Sequence, residues 1–344
     1  MDLRGRSYLQ ETDLSADEYV GLLDLAVELR HARRTPRALQ APGEGHLRGK
    51  HVALIFEKTS TRTRSAFEVA AHSHGAHSTY LGSGESQLGE KESVEDTARV
   101  LGRMFDGIAF RGFRQVDVEQ LAAHAGVPVW NALTDEWHPT QSLADLLTMR
   151  DHAGRPLKEI AVCYVGDAAN NTCASLLTAG ALVGMDVRVA APKERHPRPD
   201  TWERAVGIAE ESGARMTLTD DPKAAVAGAD FVYTDVWLSL GEPPERWDER
   251  IDLLLPYQVG ATLMRAAQNP DVGFLHCLPA FHDAATSIGR TIQERRGLDA
   301  LEVSDEVFES PASLVFDQAE NRLHTIAALM VATIGEERTV VRLL

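Results

Sequence analysis

Cysteines are scarce in this sequence, and their spacing indicates no structural role. Three occur among 344 residues, Cys163, Cys173 and Cys277, and no two of them form a Cys-x-x-Cys pair. An odd number without paired spacing argues against a disulfide framework and against a cysteine-based zinc site. We therefore expect the chain to work in a reducing compartment, the cytoplasm.

Long apolar runs and an excess of basic residues are absent as well. Nowhere do about 18 apolar residues follow one another, as a membrane-spanning helix requires, and the stretch before Tyr19 lacks the apolar core of a signal peptide. The chain carries 35 Lys and Arg against 51 Asp and Glu, a formal net charge of −16. Such a field repels nucleic-acid phosphates and anionic membranes. We expect neither partner, and an anionic small molecule would bind only where arginines are concentrated.

A dinucleotide-binding glycine motif is also missing. No Gly-x-Gly-x-x-Gly follows a predicted strand, and Gly166-Asp167 offers one glycine where that motif needs three. The sequence therefore argues against a nicotinamide-dependent dehydrogenase, although such enzymes share the fold class predicted below.

What is present is the composition of an ordinary globular protein, with 44% hydrophobic and 25% charged residues. The length suggests about two domains of roughly 150 residues each. Between residues 51 and 133 β-rich runs alternate with helical patterns, and a second such series begins near Glu159 and ends in VGFLHCLPA. This alternation predicts βαβ units. We therefore predict an α/β fold of two doubly wound parallel-sheet domains joined by interdomain helices.

The domain limits follow from the two series. We expect a first domain over residues 1–150 and a second over 151–318, with a C-terminal helix over 319–344 that packs back onto the first. Pro139 suits the first turn of a joining helix, and Ser93 followed by Asp96 predicts a capped helix start. In open α/β sheets ligands lie outside the carboxyl ends of the strands, so the residues after each strand become the candidates.

The sharpest local signal is Ser60-Thr61-Arg62-Thr63-Arg64, where the strand HVALIFEK gives way to a helix. Free backbone N–H groups at the positive end of a helix form an anion site. Arg62 or Arg64 can add charge-assisted bonds to a phosphate. The plain alternative is an ordinary serine-capped helix with solvated arginines.

Three other predicted strand ends supply polar groups. Arg111 closes GIAFR, His138 and Gln141 follow VPVWNAL, and Cys277-Leu278-Pro279 follows VGFLH. Each alone is a weak signal, because a lone arginine is usually a surface charge and a cysteine in an apolar strand is usually core. Their shared position at carboxyl ends makes them candidates for one cleft.

Taken together, several motifs identify a resemblance to the ornithine branch of the aspartate/ornithine carbamoyltransferase family. They span nearly the whole chain and comprise FEKTSTRTR (56–64), FRGF (110–113), HPTQ (138–141), DVWLSLGEP (235–243) and HCLPAFHD (276–283). The first and third look like the carbamoyl-phosphate signature of the family. The last two look specific to the ornithine branch.

The resemblance implies a binding site for carbamoyl phosphate. The residues it assigns to that ligand are Ser60, Thr61, Arg62, Thr63, Gln87, Arg111, His138, Gln141, Cys277, Leu278 and Arg322. Among these, Arg111, His138 and Cys277 would be catalytic. Gln87 is similar to a residue that enters from a neighbouring subunit, so the resemblance implies a homotrimer or a multiple of trimers with sites at subunit interfaces.

For the second substrate the resemblance points to Asn171, Asp235, Ser239 and Leu240. Asp235 is a sensible partner for an α-ammonium group, and Asn171 can serve a carboxylate. The chain departs from the family where Ser239-Leu240-Gly241 replaces the usual Ser-Met-Gly and where Ala169 stands in GDAANN in place of a frequent larger residue. Leucine and methionine are close in volume, so these departures concern fine specificity.

The implied reaction is attack of the neutral δ-amine of L-ornithine on carbamoyl phosphate, giving L-citrulline and phosphate. Arg111, His138 and Thr63 would stabilise the developing oxyanion, and neither a metal nor an organic cofactor is expected. Two alternatives remain open: a carbamoyltransferase for putrescine or lysine, and a non-catalytic regulatory subunit. The latter would be expected to lack some polar site groups, and none is missing from the sequence.

Overall fold

The computed structural model describes residues 2–34, 45–82, 92–238 and 247–336. The chain divides into two compact units. The first comprises Met1–Ala144 and Glu320–Leu344, and the second comprises Asp145–Ala319. Both boundaries fall within a helix, α5 (Pro139–Ala153) and α13 (Val315–Ile334).

The first unit is built on a parallel sheet of four strands in the order β2-β1-β3-β4. The strands are β1 (His51–Phe56), β2 (His77–Leu81), β3 (Gly107–Arg111) and β4 (Val129–Leu133). Its helices, besides parts of α5 and α13, are α1 (Ala16–Arg34), α2 (Thr61–Ser73), α3 (Val94–Leu101) and α4 (Gln115–Ala125). The chain leaves β1 toward β2 on one side and returns to β3 on the other, so the strand order reverses at β1.

Apolar side chains of the strands form the core of this unit. Ile55, Ile108 and Phe110 are buried together with Val118 and Leu121 of α4. The C-terminal part of α13 belongs to the same unit, and its Thr333 hydroxyl accepts a 3.1 Å bond from the Trp130 indole of β4. This bond gives a buried indole N–H the partner that it needs.

The second unit contains a parallel sheet of five strands in the order β7-β6-β5-β8-β9. The strands are β5 (Ala161–Val165), β6 (Asp186–Ala190), β7 (Arg215–Thr219), β8 (Phe231–Thr234) and β9 (Gly273–His276). The helices wholly inside this unit are α6 (Asn171–Leu182), α7 (Pro199–Ser212), α8 (Pro222–Val226), α9 (Trp247–Leu254), α10 (Ala261–Ala266), α11 (Ser287–Arg296) and α12 (Asp305–Phe308). Here the strand order reverses at β5.

Both units are thus doubly wound α/β structures, as the alternating pattern predicts. Central strand β5 is buried along its whole length, and α6, which follows it, is buried at most of its positions. Such continuous burial is expected of a parallel sheet covered on both faces. The predicted capped helix start at Ser93 is confirmed, since its side chain accepts a bond from Asp96 N. Within the described residues no helix is long and apolar enough to span a membrane.

Gly102 and Gly207 offer a matched test of packing in this fold. A Cβ at Gly102, which caps α3, would lie 1.7 Å from the backbone oxygen of Ala125, whereas a Cβ at Gly207 in α7 would meet nothing within 4 Å. We expect Gly102→Ala to lower the free energy of unfolding by about 1–3 kcal/mol, and Gly207→Ala to raise it by up to about 1 kcal/mol. Denaturant unfolding midpoints measure both effects, and equal midpoints would contradict the packing described here.

Candidate active site

The candidate residues fall into two clusters, one in each unit. The first-unit cluster comprises Ser60, Thr61, Arg62, Thr63, Arg111, His138, Gln141 and Arg322. The second-unit cluster comprises Asn171, Asp235, Cys277 and Leu278. Strand direction explains most of this grouping, since β1, β3 and β4 are neighbours in one sheet and β5, β8 and β9 are neighbours in the other.

The start of α2 is the centre of the first-unit cluster. Ser60 has extended backbone, φ −160°, and its hydroxyl accepts a 3.2 Å bond from Thr63 N, so it caps the helix. The Thr63 hydroxyl is fully buried and accepts a 2.9 Å bond from Arg322 Nη2 of α13. The first N–H groups of a helix lack carbonyl partners within it, and its dipole is positive there. This end of α2 therefore suits an anion.

The two arginines of the STRTR segment have different surroundings. Arg64 donates from Nε to Glu68 at 2.8 Å, and its guanidinium lies over the Tyr80 ring, 3.7 Å from the centroid. Arg62 instead lies close enough to His138 to influence its pKa. Of the two, Arg62 belongs with the first-unit cluster, and Arg64 is occupied at the surface.

Arg111 is placed at an irregularity of the sheet. It is the last residue of β3, and the pairing of β3 with β4 shifts register between Phe110 and Arg111. Bulges of this kind redirect side chains at the ends of strands. The Arg111 carbonyl accepts a 2.9 Å bond from Glu57 N, which ties this strand end to the segment that leads into α2.

Glu57 is a residue that the sequence reasoning missed. Its carboxylate accepts a 3.1 Å bond from Phe113 N, and burial raises the pKa of this carboxyl. A Cβ at Gly112 would lie 2.3 Å from Phe110 Cζ and 2.4 Å from Glu57 Oε2, so a larger residue there would displace these side chains. Glu57 thus fixes the FRGF turn. The available signal was its position immediately after β1, within FEKTSTRTR.

His138 is buried close to three guanidinium groups of this unit. It is only 4% exposed and directly precedes α5, whose first residue is Pro139 as predicted. Burial lowers the pKa of His138 well below its usual value, and the guanidinium groups of Arg322, Arg111 and Arg62 lower it further. The imidazole is therefore neutral at physiological pH. Gln141, on the first turn of the same helix, is also buried.

In the second-unit cluster, Asp235 and Cys277 are hydrogen-bonded to each other. The buried Asp235 follows β8, and its Oδ1 accepts bonds from Cys277 Sγ at 3.1 Å and from Val236 N at 2.8 Å. Burial and the Asp235 carboxylate raise the pKa of the Cys277 thiol well above its usual value, and a bond with the Thr172 side chain opposes this in part. Cys277 is therefore a protonated thiol that donates to Asp235, and not a thiolate.

The segment after β9 is fixed by the buried residue His276. Leu278 has a left-handed backbone, φ +60°, and its N–H donates to His276 Nδ1 at 2.9 Å. Because Nδ1 accepts, the ring proton of a neutral imidazole lies on Nε2, which is 3.4 Å from Glu302 Oε1. Both side chains are fully buried. Sequence reasoning selected Cys277 and Leu278 but missed the pair that positions them.

Asn171 begins α6 at the carboxyl end of β5, the strand where the sheet order reverses. The preceding Asn170 caps this helix by accepting a 2.8 Å bond from Cys173 N. Three other predicted site residues, Gln87, Ser239 and Leu240, lie outside the described residues.

Two groups in the described part of the chain bring potential metal ligands within 4.8 Å of one another: Asp235, His276 and Cys277, and His282, Asp283 and Asp305. Both are held by hydrogen bonds within the protein. In the first, Cys277 donates to Asp235, and in the second, His282 Nδ1 lies 2.7 Å from Asp305 Oδ1.

Comparison with family models covers both units. The model described as the carbamoyl-P binding domain of aspartate/ornithine carbamoyltransferase matches residues 6–151. The model described as the Asp/Orn binding domain of the same proteins matches residues 158–333.

Curated relatives and solved structures match over nearly the full chain. A Pseudomonas putida protein named "Ornithine carbamoyltransferase, catabolic" is 55% identical over 337 residues, 97% of this chain and 99% of that protein. A Rhizobium meliloti protein of the same name is 53% identical with the same coverage. The structure of ornithine carbamoyltransferase from Pyrococcus furiosus matches with a TM-score of 0.86 and 40% identity, covering 97% of this chain and 98% of that one. The anabolic enzyme from Campylobacter jejuni matches with a TM-score of 0.81 and 35% identity, covering 94% and 97%.

The surroundings of His138 predict its titration. We expect no protonation of its imidazole near the ordinary histidine pKa of about 6.5, and we expect Arg322→Gln to raise its pKa because one neighbouring positive charge is removed. Nitrogen-15 NMR of labelled histidine measures both, with His138→Gln to assign the signal. Below about pH 6.5 the imidazole of His138 binds a proton in the unfolded chain but not in the folded chain. This residue therefore lowers the stability of the fold as the pH falls below that value. An ordinary titration of His138 in the unsubstituted protein would refute this electrostatic picture.

Proposed function

The chain belongs to the aspartate/ornithine carbamoyltransferase family, and we propose that it transfers the carbamoyl group of carbamoyl phosphate to the δ-amine of L-ornithine, giving L-citrulline and phosphate. The observation that carries the proposal is the concentration of Arg62, Arg111 and Arg322 around one buried imidazole, in a chain of net charge −16. The names of both curated relatives support ornithine as the acceptor.

In this proposal the phosphate of carbamoyl phosphate binds at the start of α2. The hydroxyls of Ser60, Thr61 and Thr63 and the Thr61 N–H would donate to its oxygens, and Arg62 and Arg111 would add charge-assisted bonds. Arg322 holds the Thr63 hydroxyl by a 2.9 Å bond, which fixes the direction of that group. The leaving phosphate stays bound to the same donors, so the protein need not form a covalent bond to it.

The carbamoyl end is assigned to His138 and Gln141. A neutral imidazole can donate one hydrogen bond without adding a further positive charge beside the three guanidinium groups. As the amine attacks, negative charge develops on the carbamoyl oxygen, and donors that are already oriented stabilise it. Arg111, His138 and Thr63 are the groups we assign to this task. Cys277 and the Leu278 backbone, which belong to the second-unit cluster, are assigned to the carbamoyl end as well.

The amino-acid end of ornithine is assigned to the second unit. Asp235 is buried and uses Oδ1 for Cys277 and Val236, and its carboxylate would pair with the α-ammonium group. Asn171, together with Ser239 and Leu240, would bind the α-carboxylate side. An alkyl ammonium has an ordinary pKa of about 10.4, so the reactive amine must lose its proton. The desolvation that raises the pKa of the Cys277 thiol would likewise favour the neutral form of an amine beside it.

The domain limits, the oligomeric state and the location of the protein are proposed as well. We propose a carbamoyl-phosphate-binding domain over residues 1–150 with the C-terminal segment 319–344, and an ornithine-binding domain over 151–318. We also propose a cytoplasmic homotrimer, or a multiple of trimers, in which Gln87 of one subunit completes the site of its neighbour.

Arg62 and Arg111 can be tested against Arg64, which shares the same segment but is bound to Glu68 and Tyr80. Arg62→Ala and Arg111→Ala should each lower kcat/KM by about 30- to 1,000-fold, since each removes a contact worth on the order of 2–4 kcal/mol. Arg64→Ala should change it by at most about threefold. Steady-state citrulline formation measures all three. Kinetics near those of the parent for Arg62→Ala or Arg111→Ala would rule out the phosphate site proposed here.

Substrate choice is tested with a panel of ornithine, lysine, putrescine and aspartate, assayed as carbamoyl acceptors. We expect kcat/KM to be far higher for ornithine than for lysine or putrescine. Putrescine lacks the α-carboxylate, so the buried groups that recognise it stay unpaired. Lysine is one methylene longer, so its reactive amine lies beyond the position for attack. Asp235→Asn should lower kcat/KM for ornithine more than kcat/KM for putrescine, and so reduce the ratio between the two. If the parent carbamoylates putrescine as well as ornithine, or if Asp235→Asn leaves the ratio unchanged, a diamine carbamoyltransferase replaces this assignment.

The names of the two curated relatives also support a role in breakdown rather than in synthesis. Deletion of the gene in its source organism should then impair growth on arginine as the nitrogen source and leave growth without arginine unaffected. Arginine auxotrophy of the deletion strain would contradict this direction.

A further inference from the structure

Asp167, in the turn that follows β5, is a buried carboxylate held by two arginines. It is 3% exposed, and Arg195 binds it with both arms of the guanidinium, from Nε at 2.8 Å and from Nη2 at 2.6 Å. Arg250 Nη1 lies 3.1 Å from the same carboxylate. Arg195 also accepts a 3.0 Å bond from Ala168 N through its carbonyl. Segments after β5 and β6, and helix α9, are therefore fastened at one carboxylate.

On one side, Asp167 fixes the approach to Asn171. Its Oδ1 accepts a 3.1 Å bond from Ala169 N, and its carbonyl accepts a 3.1 Å bond from the Tyr164 hydroxyl. The same hydroxyl accepts a 2.9 Å bond from Asn170 Nδ2. Since Asn170 caps α6, the direction in which that helix begins, and with it the position of Asn171, depends on the turn at Asp167.

On the other side, Asp167 is linked to the segment after β8. Arg250 Nη1, which binds Asp167, also donates to the Trp237 carbonyl at 3.1 Å. Trp237 follows Asp235 by two residues and directly precedes the stretch that contains Ser239 and Leu240. A Cβ on Gly166 would lie 3.1 Å from the Trp237 indole nitrogen, so the turn and this indole pack closely.

We propose that Asp167, Arg195 and Arg250 are positioning residues for the amino-acid end of the acceptor substrate. The inference rests on the proposed function, because Asn171 and Asp235 are assigned to that end. The three residues hold the two segments that carry these groups at a fixed separation. Their loss should weaken recognition of the α-amino and α-carboxylate groups more than it changes the chemical step or the binding of carbamoyl phosphate.

The same unit provides a matched control in Asp186, at the start of β6. Its carboxylate is 9% exposed and is also bound by two arginines, Arg188 with 3.2 and 2.8 Å contacts and Arg215 at 2.8 Å. Like Arg250, Arg188 donates to backbone carbonyls, those of Ala225 and Ala227. This network lies at the amino end of its strand, opposite the end that carries the candidate site. Its loss should affect stability without affecting substrate recognition.

The experiment compares Arg195→Gln, Arg250→Gln and Arg188→Gln in the full-length protein. We expect the first two to raise the KM for ornithine about tenfold, with kcat changed less than threefold and the KM for carbamoyl phosphate less than twofold. The dissociation constant of L-norvaline, which keeps both α-groups but lacks the δ-amine, should rise by a similar factor. Arg188→Gln should leave all four quantities within twofold of the parent while lowering the unfolding temperature.

Lysine substitutions separate positioning from folding. Arg250 contacts Asp167 and the Trp237 carbonyl through one nitrogen, which a lysine can replace, so the KM for ornithine of Arg250→Lys should lie within about threefold of the parent value. Arg195 uses two nitrogens, and a lysine cannot reproduce that fork, so Arg195→Lys should not restore it.

The outcomes distinguish this inference from the proposed function. If the parent carbamoylates ornithine but Arg195→Gln and Arg250→Gln keep its KM for ornithine and its affinity for norvaline, only the positioning role is overturned. Equal changes in Arg188→Gln overturn it too, since the effect would then be one of general stability. If the parent neither carbamoylates ornithine nor binds norvaline, the proposed function fails and the inference fails with it.

Discussion

The parallel direction of the strands is the constraint on which both candidate clusters depend. Strands that run the same way end at the same edge of a sheet, and a helix that begins there presents its positive end to that edge. In the first unit the strand order reverses at β1, which is followed by Ser60 and α2. In the second it reverses at β5, which is followed by Asn171 and α6. At such a reversal the helices leave on opposite faces, so the two strand ends that flank it remain open to a ligand.

Charge then determines what each cluster can bind. The chain as a whole is strongly acidic, yet Arg62, Arg111 and Arg322 are gathered around His138. A bound phosphate would supply the charge opposite to that of these guanidinium groups. The neutral state of His138 limits the positive charge that must be compensated. The second-unit cluster has the opposite character, because Asp235 is a buried carboxylate beside a protonated thiol, which suits an ammonium group.

Much of this arrangement could be predicted from the sequence, because it depends on residues close together in the chain. The strand ends, the capped start of α2 and the doubly wound fold follow from alternating patterns and from the STRTR segment. What could not be predicted depends on contacts between distant residues. Arg322, which only the resemblance assigned to the site, reaches Thr63 across 259 positions, and the Glu57 carboxylate meets Phe113 N across 56. The network at Asp167 was missed for the same reason, since Arg195 and Arg250 are ordinary surface residues by type. Sequence spacing also offered Arg62 and Arg64 equally. The contacts of Arg64 with Glu68 and Tyr80, and the nearness of Arg62 to His138, separate them.

The central claim is that the start of α2 binds the phosphate of carbamoyl phosphate, and a crystal structure of the protein with that ligand tests it most directly. We expect phosphate density within hydrogen-bond distance of the Ser60, Thr61 and Thr63 donors, with the Arg62 and Arg111 guanidinium groups against its oxygens. Phosphate density at any other place, with the start of α2 bound only to water, would contradict the claim.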